Sequence, residues 1–339
     1  MNRSTKEKRK NKNIIIAIVA VLLIIILGCT LKFEITGSKR NQVQVVIKIE
    51  EGDTVSGITS QLENNDVIKY STLFKLYLKS KGADGKIKIG IHYLKTHMAY
   101  SDIVKELLSN TSSESVAVTI PEGYEFRMIA DLLSEKGLID RDKFYSLAQS
   151  YDFNYDFIDM IPDRNTRLEG YLFPDTYYIT PEEDELDILL MMLDRFNETF
   201  TDKMKERASG IGMTVDQAVN LASIIQREAA NSDEMPLISS VFHNRLQSDE
   251  YPYLQSCATV QYILEERKPV LSTDDTQIDS PYNTYKYKGL PVGPIASPGL
   301  DALNAALYPA DSNYYFFYAD ESGKSVFSET FDQHNQGAN

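Results

Sequence analysis

Residues 214–230 read TVDQAVNLASIIQREAA. Thr214 and Gln217 match the S/T-x-x-E/Q capping box, in which the hydroxyl accepts the Gln217 backbone N–H and the amide reaches back to the cap. Val215, Ala218, Ala222, Ile225 and Ala229 then recur at spacings of 3, 4, 3 and 4, the stripe of an amphipathic helix. At about 100° per residue, Glu228 falls beside that stripe, between Leu221 and Ile224 on the wheel. A carboxyl there is partly desolvated and close to the negative end of the helix dipole. Both effects favour its neutral form. A carboxyl still protonated near neutral pH is what a general acid requires. A solvated helix-end glutamate is the ordinary alternative.

The chain of 339 residues is long enough for two or three domains with their own cores, and 42% hydrophobic with 25% charged residues is an ordinary globular balance. The net charge of −14 is uneven. Residues 1–13 carry Arg3, Lys6, Lys8, Arg9, Lys10 and Lys12 against Glu7, a net +5, which leaves about −19 on the rest. Such a body argues against nucleic acid as its partner. Two cysteines, Cys29 and Cys257, make no disulfide framework, and His92, His97, His243 and His334 are scattered without zinc-ligand spacing. Neither a P-loop nor a Gly-rich dinucleotide fingerprint is present. The 21 tyrosines suit a sugar- or peptide-binding cleft, and equally a packed interior.

Residues 14–31 are uncharged and mostly Ile, Val, Leu and Ala, close to the roughly 20 needed to cross a bilayer. With the basic run before them, the positive-inside rule predicts a cytoplasmic tail (1–13), a transmembrane helix (14–33) and an extracytoplasmic body in the cell envelope. A cleaved signal sequence, or a lipoprotein signal ending at Cys29, are the competing readings. Residues 34–44 read as a tether.

An internal repeat follows. VVIKIEEGDTVSGITSQLENNDVIKYSTLF begins at Val45 and VAVTIPEGYEFRMIADLLSEKGLIDRDKF at Val116. Gly52 and Gly123, Ile58 and Ile129, Leu62 and Leu133, and Ile68 and Ile139 match at a constant offset of 71. Each copy predicts an alternating strand, a Glu-Gly turn and an amphipathic helix. The pattern EGDTVSGITSQL resembles a LysM-type glycan-binding module, and spacer domains are the equal alternative. The division is therefore 45–115 and 116–152 as two LysM-like modules and 153–339 as a third domain.

In that third domain LEGYLFPDTYY (168–178) is turn-rich, with Glu169 either a cleft acid or a turn glutamate. Helices are expected over 184–200, over the capped segment ending near Glu228, over about 234–247 and over 300–307. His243 reads as a packing residue rather than a ligand. YNTYKYKGLPVGPIASPG (282–299) demands a long ordered loop, the kind that usually carries function. YYFFYA (314–319) reads as a strand, with 325–327 as its hairpin partner.

LEGYLFPDTYY, LASIIQREA, FHNRL, LQSCATVQY, NTY with GLPVGPIASPG, and FSETFDQHN appear in the order of the YceG-like family, the MltG-type endolytic murein transglycosylases, which the chain resembles over most of its length. The resemblance implies an α+β multidomain fold: a single N-terminal transmembrane helix, two small LysM-like α/β modules, and a mixed helical/β catalytic domain with a lysozyme-like helical core. It implies a membrane-anchored enzyme that cleaves peptidoglycan strands without metal or cofactor, with peptidoglycan synthases as neighbours. The family helix resembles A-S-I-V-E-K-E, with the second glutamate catalytic. Here that glutamate is Glu228, and the first position is Gln226, which has no acidic proton to give. Carried over position by position, Asn244, Gln255, Thr259, Asn283 and Tyr285 are substrate-binding residues. Two positions depart from the pattern: Cys257 stands where an aspartate is usual, and Ser325 where a histidine is usual.

A glycosidase normally needs two carboxylates, whereas a lytic transglycosylase manages with one because the substrate supplies the nucleophile. The resemblance implies that Glu228 protonates the oxygen between MurNAc and GlcNAc, then acts as base while the MurNAc C6 hydroxyl closes on C1. A lysozyme-type hydrolase using Asp274 or Asp275 as second carboxylate, and a non-catalytic cell-wall scaffold, are the competing functions.

Overall fold

The computed structural model describes residues 31–32, 34–37, 43–50, 52–109, 115–181, 183–268, 270–320 and 323–337. The chain divides into two compact units, residues 1–113 and 114–339.

In the first unit β1 (Gln44–Ile49) pairs antiparallel with β2 (Gly90–Lys95), Ile47 opposite His92. The alternation turns Ile47 and Ile49 inward. They meet Ile58 and Leu62 of α1 (Val55–Asn64), Phe74 and Leu78 of α2 (Ser71–Ser80) and Ile103 and Leu107 of α3 (Tyr100–Leu108) in one core. The Thr54 hydroxyl starts α1 by accepting the Gly57 N–H at 3.1 Å.

The second copy of the repeat again forms strand, turn and helix: β3 (Val116–Thr119) and α4 (Phe126–Glu135). Its strand finds its partner far along the chain, with Val118 opposite Tyr177 of antiparallel β4 (Thr176–Ile179). Val118, Ile129 and Phe144 accordingly share one continuous core with Leu168, Phe196 and Ile225. The elements in between are α5 (Arg141–Ser150) and the short α6 (Asp156–Asp159). Then come α7 (Glu185–Thr199), α8 (Asp202–Gly210), α9 (Val215–Glu228), α10 (Met235–Leu246), α11 (Cys257–Leu264) and α12 (Leu300–Leu307). The hairpin β5 (Phe316–Ala319) and β6 (Ser325–Ser328), and α13 (Phe331–Gly337), close the unit.

The expected capping box forms at the start of α9. The Thr214 hydroxyl accepts the Gln217 N–H at 3.1 Å, and the Gln217 amide oxygen accepts the Thr214 N–H at 2.9 Å. The expected single stripe is too narrow, because Asp216, Asn220 and Ser223 are also buried. The 282–299 loop lies along this polar side. Asn220 donates to the Pro291 carbonyl (2.7 Å), Ser223 accepts from the Ile295 N–H (3.0 Å) and Gln226 accepts from the Gly299 N–H (2.9 Å). Residues three apart on one helix face thus pin a loop that has little regular structure of its own. Gly170 lets the 168–178 turn pack against it: at φ +87°, an added Cβ would stand 2.6 Å from Pro294 Cβ.

The transmembrane helix of the expected fold class is not supported. Among the described residues no helix is long and apolar enough to cross a membrane. The longest, α7, has 15 residues, which span about 22 Å against a hydrocarbon core of about 30 Å. Of the expected span 14–33, only Leu31 and Lys32 are among the described residues. The architecture that stands is a mixed helix and strand fold.

Candidate active site

Glu228 is the last residue of α9, where the buried helix emerges into a cavity of about 360 Å³. The helix delivers it there rigidly, because Leu221, Ile224 and Ile225 just before it are fully buried, each stabilising by roughly 1.5–3 kcal/mol. Glu228 itself is half-buried. Burial raises its carboxyl above the ordinary range, against the pull of a hydrogen bond from Ser256, a backbone N–H from Ala258 and the neighbouring Arg227 charge. Arg227 is directed elsewhere, to the Gly123 carbonyl (3.1 Å) and Glu125 (3.4 Å).

The Ser256 contact is the feature that sequence reasoning did not find. Ser256 precedes α11 as its N-cap, yet its hydroxyl donates to Glu228 Oε1 rather than capping its own helix. The Ala258 N–H, in the first turn of α11, points at the same oxygen at 3.4 Å. The carboxyl therefore sits on the positive end of a short helix, which steadies its anionic form while burial favours the neutral one. Ser256 is held in turn by its N–H to Thr284 Oγ1 (3.0 Å) and its carbonyl to Thr259 Oγ1 (2.8 Å). Gln255, at φ +53°, takes the left-handed backbone that turns the chain into this arrangement. In the sequence Ser256 stands inside the LQSCATVQY motif, ahead of a short apolar run, where it reads as a cap.

Of the residues carried over from the family pattern, Gln255 and Tyr285 line the cavity with Glu228. Asn244 donates to the carbonyls of Ser312 and Tyr314, both at 2.9 Å. Asn283 donates to those of Thr276 (3.0 Å) and Ile278 (2.8 Å) and accepts the Tyr285 N–H (3.0 Å). Thr259 is buried between Ser256 and Thr284. None of these three is a lining residue of the cavity, and each is engaged with backbone or hydroxyl partners of neighbouring segments. Both departures from the pattern lie on the wall itself. Cys257 Sγ is 3.0 Å from the Tyr285 hydroxyl, and Ser325 donates to Glu234 at 2.6 Å. His243 contacts the Ala306 carbonyl at 2.8 Å, the packing role expected of it.

Asp275 is bound to Lys268 (2.8 Å) and Ser272, which hold its carboxyl down to about 2. Asp274 is exposed, and neither aspartate lines the cavity. Glu228 is the single carboxylate among the cavity's described lining residues.

Glu169 is buried away from that cavity. It accepts the Phe126 N–H (2.9 Å), capping α4, and the Tyr262 hydroxyl (3.0 Å) of α11. Burial pushes its carboxyl up to about 8. The unfolded chain therefore releases this proton first as pH rises. The group's stabilising contribution is complete below its ordinary value of 4.5 and is lost as pH climbs towards 8. Glu169→Gln keeps an acceptor for Phe126 and removes the titration. Its melting temperature is expected to fall less than that of the parent between about pH 5 and about pH 8. An equal fall in both proteins would rule out the buried neutral carboxyl.

Ser256→Ala removes a donor that favours charged Glu228. The basic limb of the rate profile is expected to move to higher pH and the maximal rate to fall about tenfold, the scale of a hydrogen bond to a charged group. A rate loss with an unmoved limb would mean that Ser256 only supports the backbone.

Comparison with known proteins gives one consistent result. The model of the YceG-like family matches residues 47–339. The chain is similar to the endolytic murein transglycosylase of Bacillus subtilis (strain 168), 34% identical over 312 residues, covering 88% of this chain and 85% of that protein. It is also similar to the endolytic murein transglycosylase of Streptococcus pneumoniae serotype 2. There it is 31% identical over 322 residues, 86% of this chain but 57% of that protein. A crystal structure of a yceG-like protein from Listeria monocytogenes matches with a TM-score of 0.59 at 30% identity, covering 86% of this chain and 98% of that one. With the family model matching residues 47–339, well over half of the chain, and relatives above 30% identity, this chain belongs to the YceG-like family.

Proposed function

We propose that this chain is a lytic transglycosylase that cuts peptidoglycan strands internally, as the names of its relatives describe for them. The observation that carries the reading is Glu228, the single carboxylate among the cavity's described lining residues, half-buried with one oxygen held by Ser256 and Ala258. Glu228 gives its proton to the glycosidic oxygen as the C1–O bond between MurNAc and GlcNAc breaks. The carboxylate so formed is stabilised by the Ser256 hydroxyl and the α11 N-terminus. It then takes the proton of the MurNAc C6 hydroxyl while that oxygen bonds to C1. The products are a 1,6-anhydro end and a new GlcNAc end, and Glu228 is again protonated. No water is consumed, so no second carboxylate is required to activate one. Tyr285 and Gln255 contact the sugar in this reading, which their position on the same cavity wall supports. An extracytoplasmic site of action, close to the synthases that polymerise the glycan, goes with this substrate.

The lysozyme-type alternative is disfavoured by the engagement of Asp275 with Lys268 and Ser272. The test is mass spectrometry of glycan products made by the wild-type protein and by Glu228→Gln. Anhydro ends from the wild type alone are expected. Reducing MurNAc ends would mean hydrolysis, and cleavage by Glu228→Gln would remove Glu228 from the mechanism.

A further inference from the structure

The cavity wall contains a guanidinium with no counter-ion among the described residues. Arg245, on α10, is 6% exposed, and no described carboxylate forms an ion pair with it. A buried charge without a partner is rare, because removing it from water is not offset by Coulomb attraction. Most of the group is held in place. Nε donates to the Tyr315 carbonyl (2.6 Å), and Nη1 reaches the carbonyls of Tyr253 (2.9 Å) and Leu254 (3.1 Å) and the Gln255 amide oxygen (3.1 Å). The Phe316 ring covers one face at 5.0 Å. Those partners are all neutral. Nη2 donates to none of the described residues, so one in-plane edge of a fixed fork is without an acceptor among them. Arg245 is also the single lysine or arginine among the cavity's described lining residues.

We infer that Arg245 is the anchor of a carboxylate-binding subsite in this cavity, one that takes an acidic group carried by the glycan while the sugar chain lies across Glu228. The inference rests on the proposed peptidoglycan substrate. A planar guanidinium edge matches a carboxylate in geometry as well as charge, and the apolar surroundings of Phe316, Phe317 and Leu254 strengthen the pairing. Glu228, Tyr285 and Arg245 line the same cavity, so one strand can meet the acid and the guanidinium together. A neutral glycan such as a chitin strand would fill the cleft and leave the arginine unpaired. Selection for carboxylate-bearing strands follows from that penalty.

Two sources supply a carboxylate: the lactyl group of a muramic sugar stripped of its peptide, and the acidic residues of an attached stem peptide. The test measures affinity of the full chain, carrying Glu228→Gln to prevent turnover, for uncrosslinked peptide-bearing strands and for peptide-free strands. Each is used as such and after methyl esterification of its carboxylates. Esterification is expected to weaken binding about tenfold or more. Loss with peptide-free strands assigns the lactyl carboxylate, and loss with peptide-bearing strands alone assigns the stem peptide. The chain's net charge of −14 acts in the opposite sense and favours the esterified ligand. Equal or tighter binding after esterification therefore overturns the inference. Adding Arg245→Met should collapse the difference between free and esterified strands. If that variant does not fold, the ester comparison decides alone. Anhydro products with ester-insensitive binding overturn only the subsite, whereas absence of anhydro products overturns the reading beneath it.

Discussion

Glu228→Gln is expected to cleave glycan on the order of 10⁴-fold more slowly than the parent, because one group would serve both as acid and as base and each role contributes about 10²–10⁴. The amide has no proton acidic enough to donate to the leaving oxygen and no basic site for the C6 hydroxyl. It keeps an acceptor for the Ser256 hydroxyl and the Ala258 N–H, so the local fold is preserved. The variant should therefore melt within a few degrees of the parent and bind strands with little change. The rate of anhydro-end formation per enzyme, measured beside the melting temperature, checks this. Residual activity above about one part in a hundred would show that another group supplies the proton.

Asp216→Ala is expected to destabilise the unit of residues 114–339 by about 3–5 kcal/mol, the scale for breaking a buried ion pair by removing one partner. Asp216 lies in the first turn of α9 and meets Arg164 Nη1 at 2.9 and 3.1 Å, with the Tyr171 hydroxyl donating to it at 2.8 Å. Those side chains are 1% and 6% exposed for Arg164 and Asp216. Truncation leaves a guanidinium buried without a counter-charge and a buried hydroxyl without its acceptor. For a unit of this size the melting temperature should drop by roughly 10 °C or more. The double variant Arg164→Met with Asp216→Leu should recover part of the loss, because the apolar pair leaves no charge behind. A drop of under about 1 kcal/mol in the single variant would show that water reaches the arginine.

Local pattern was enough for the elements that build the site. The capping box at Thr214, the helix over 300–307 and the 314–319 hairpin follow from signals within a few residues, and each forms where those signals put it. The stripe on α9 was read too narrowly because Asn220, Ser223 and Gln226 look like a solvated face in one dimension. They are the hydrogen-bonding partners of a loop about 70 residues later. The membrane-spanning helix drew on residues 14–31, of which only Leu31 is described, and no helix that is described is long or apolar enough for it.

What the sequence determined by itself is the carboxylate and its carrier: a capped helix whose apolar arc runs past Glu228, in a chain whose ordered motifs belong to one family. Periodicity and capping act over a turn or two of backbone, so they are written locally. The tertiary structure alone decided what surrounds that carboxylate. Ser256 reaches Glu228 across 28 residues, Arg245 is left without a counter-ion among the described residues, and Asn244 and Asn283 turn to backbone carbonyls. Burial and the pairing of polar groups depend on which distant segments meet, and a hydroxyl or guanidinium carries no local mark of the partner it will find.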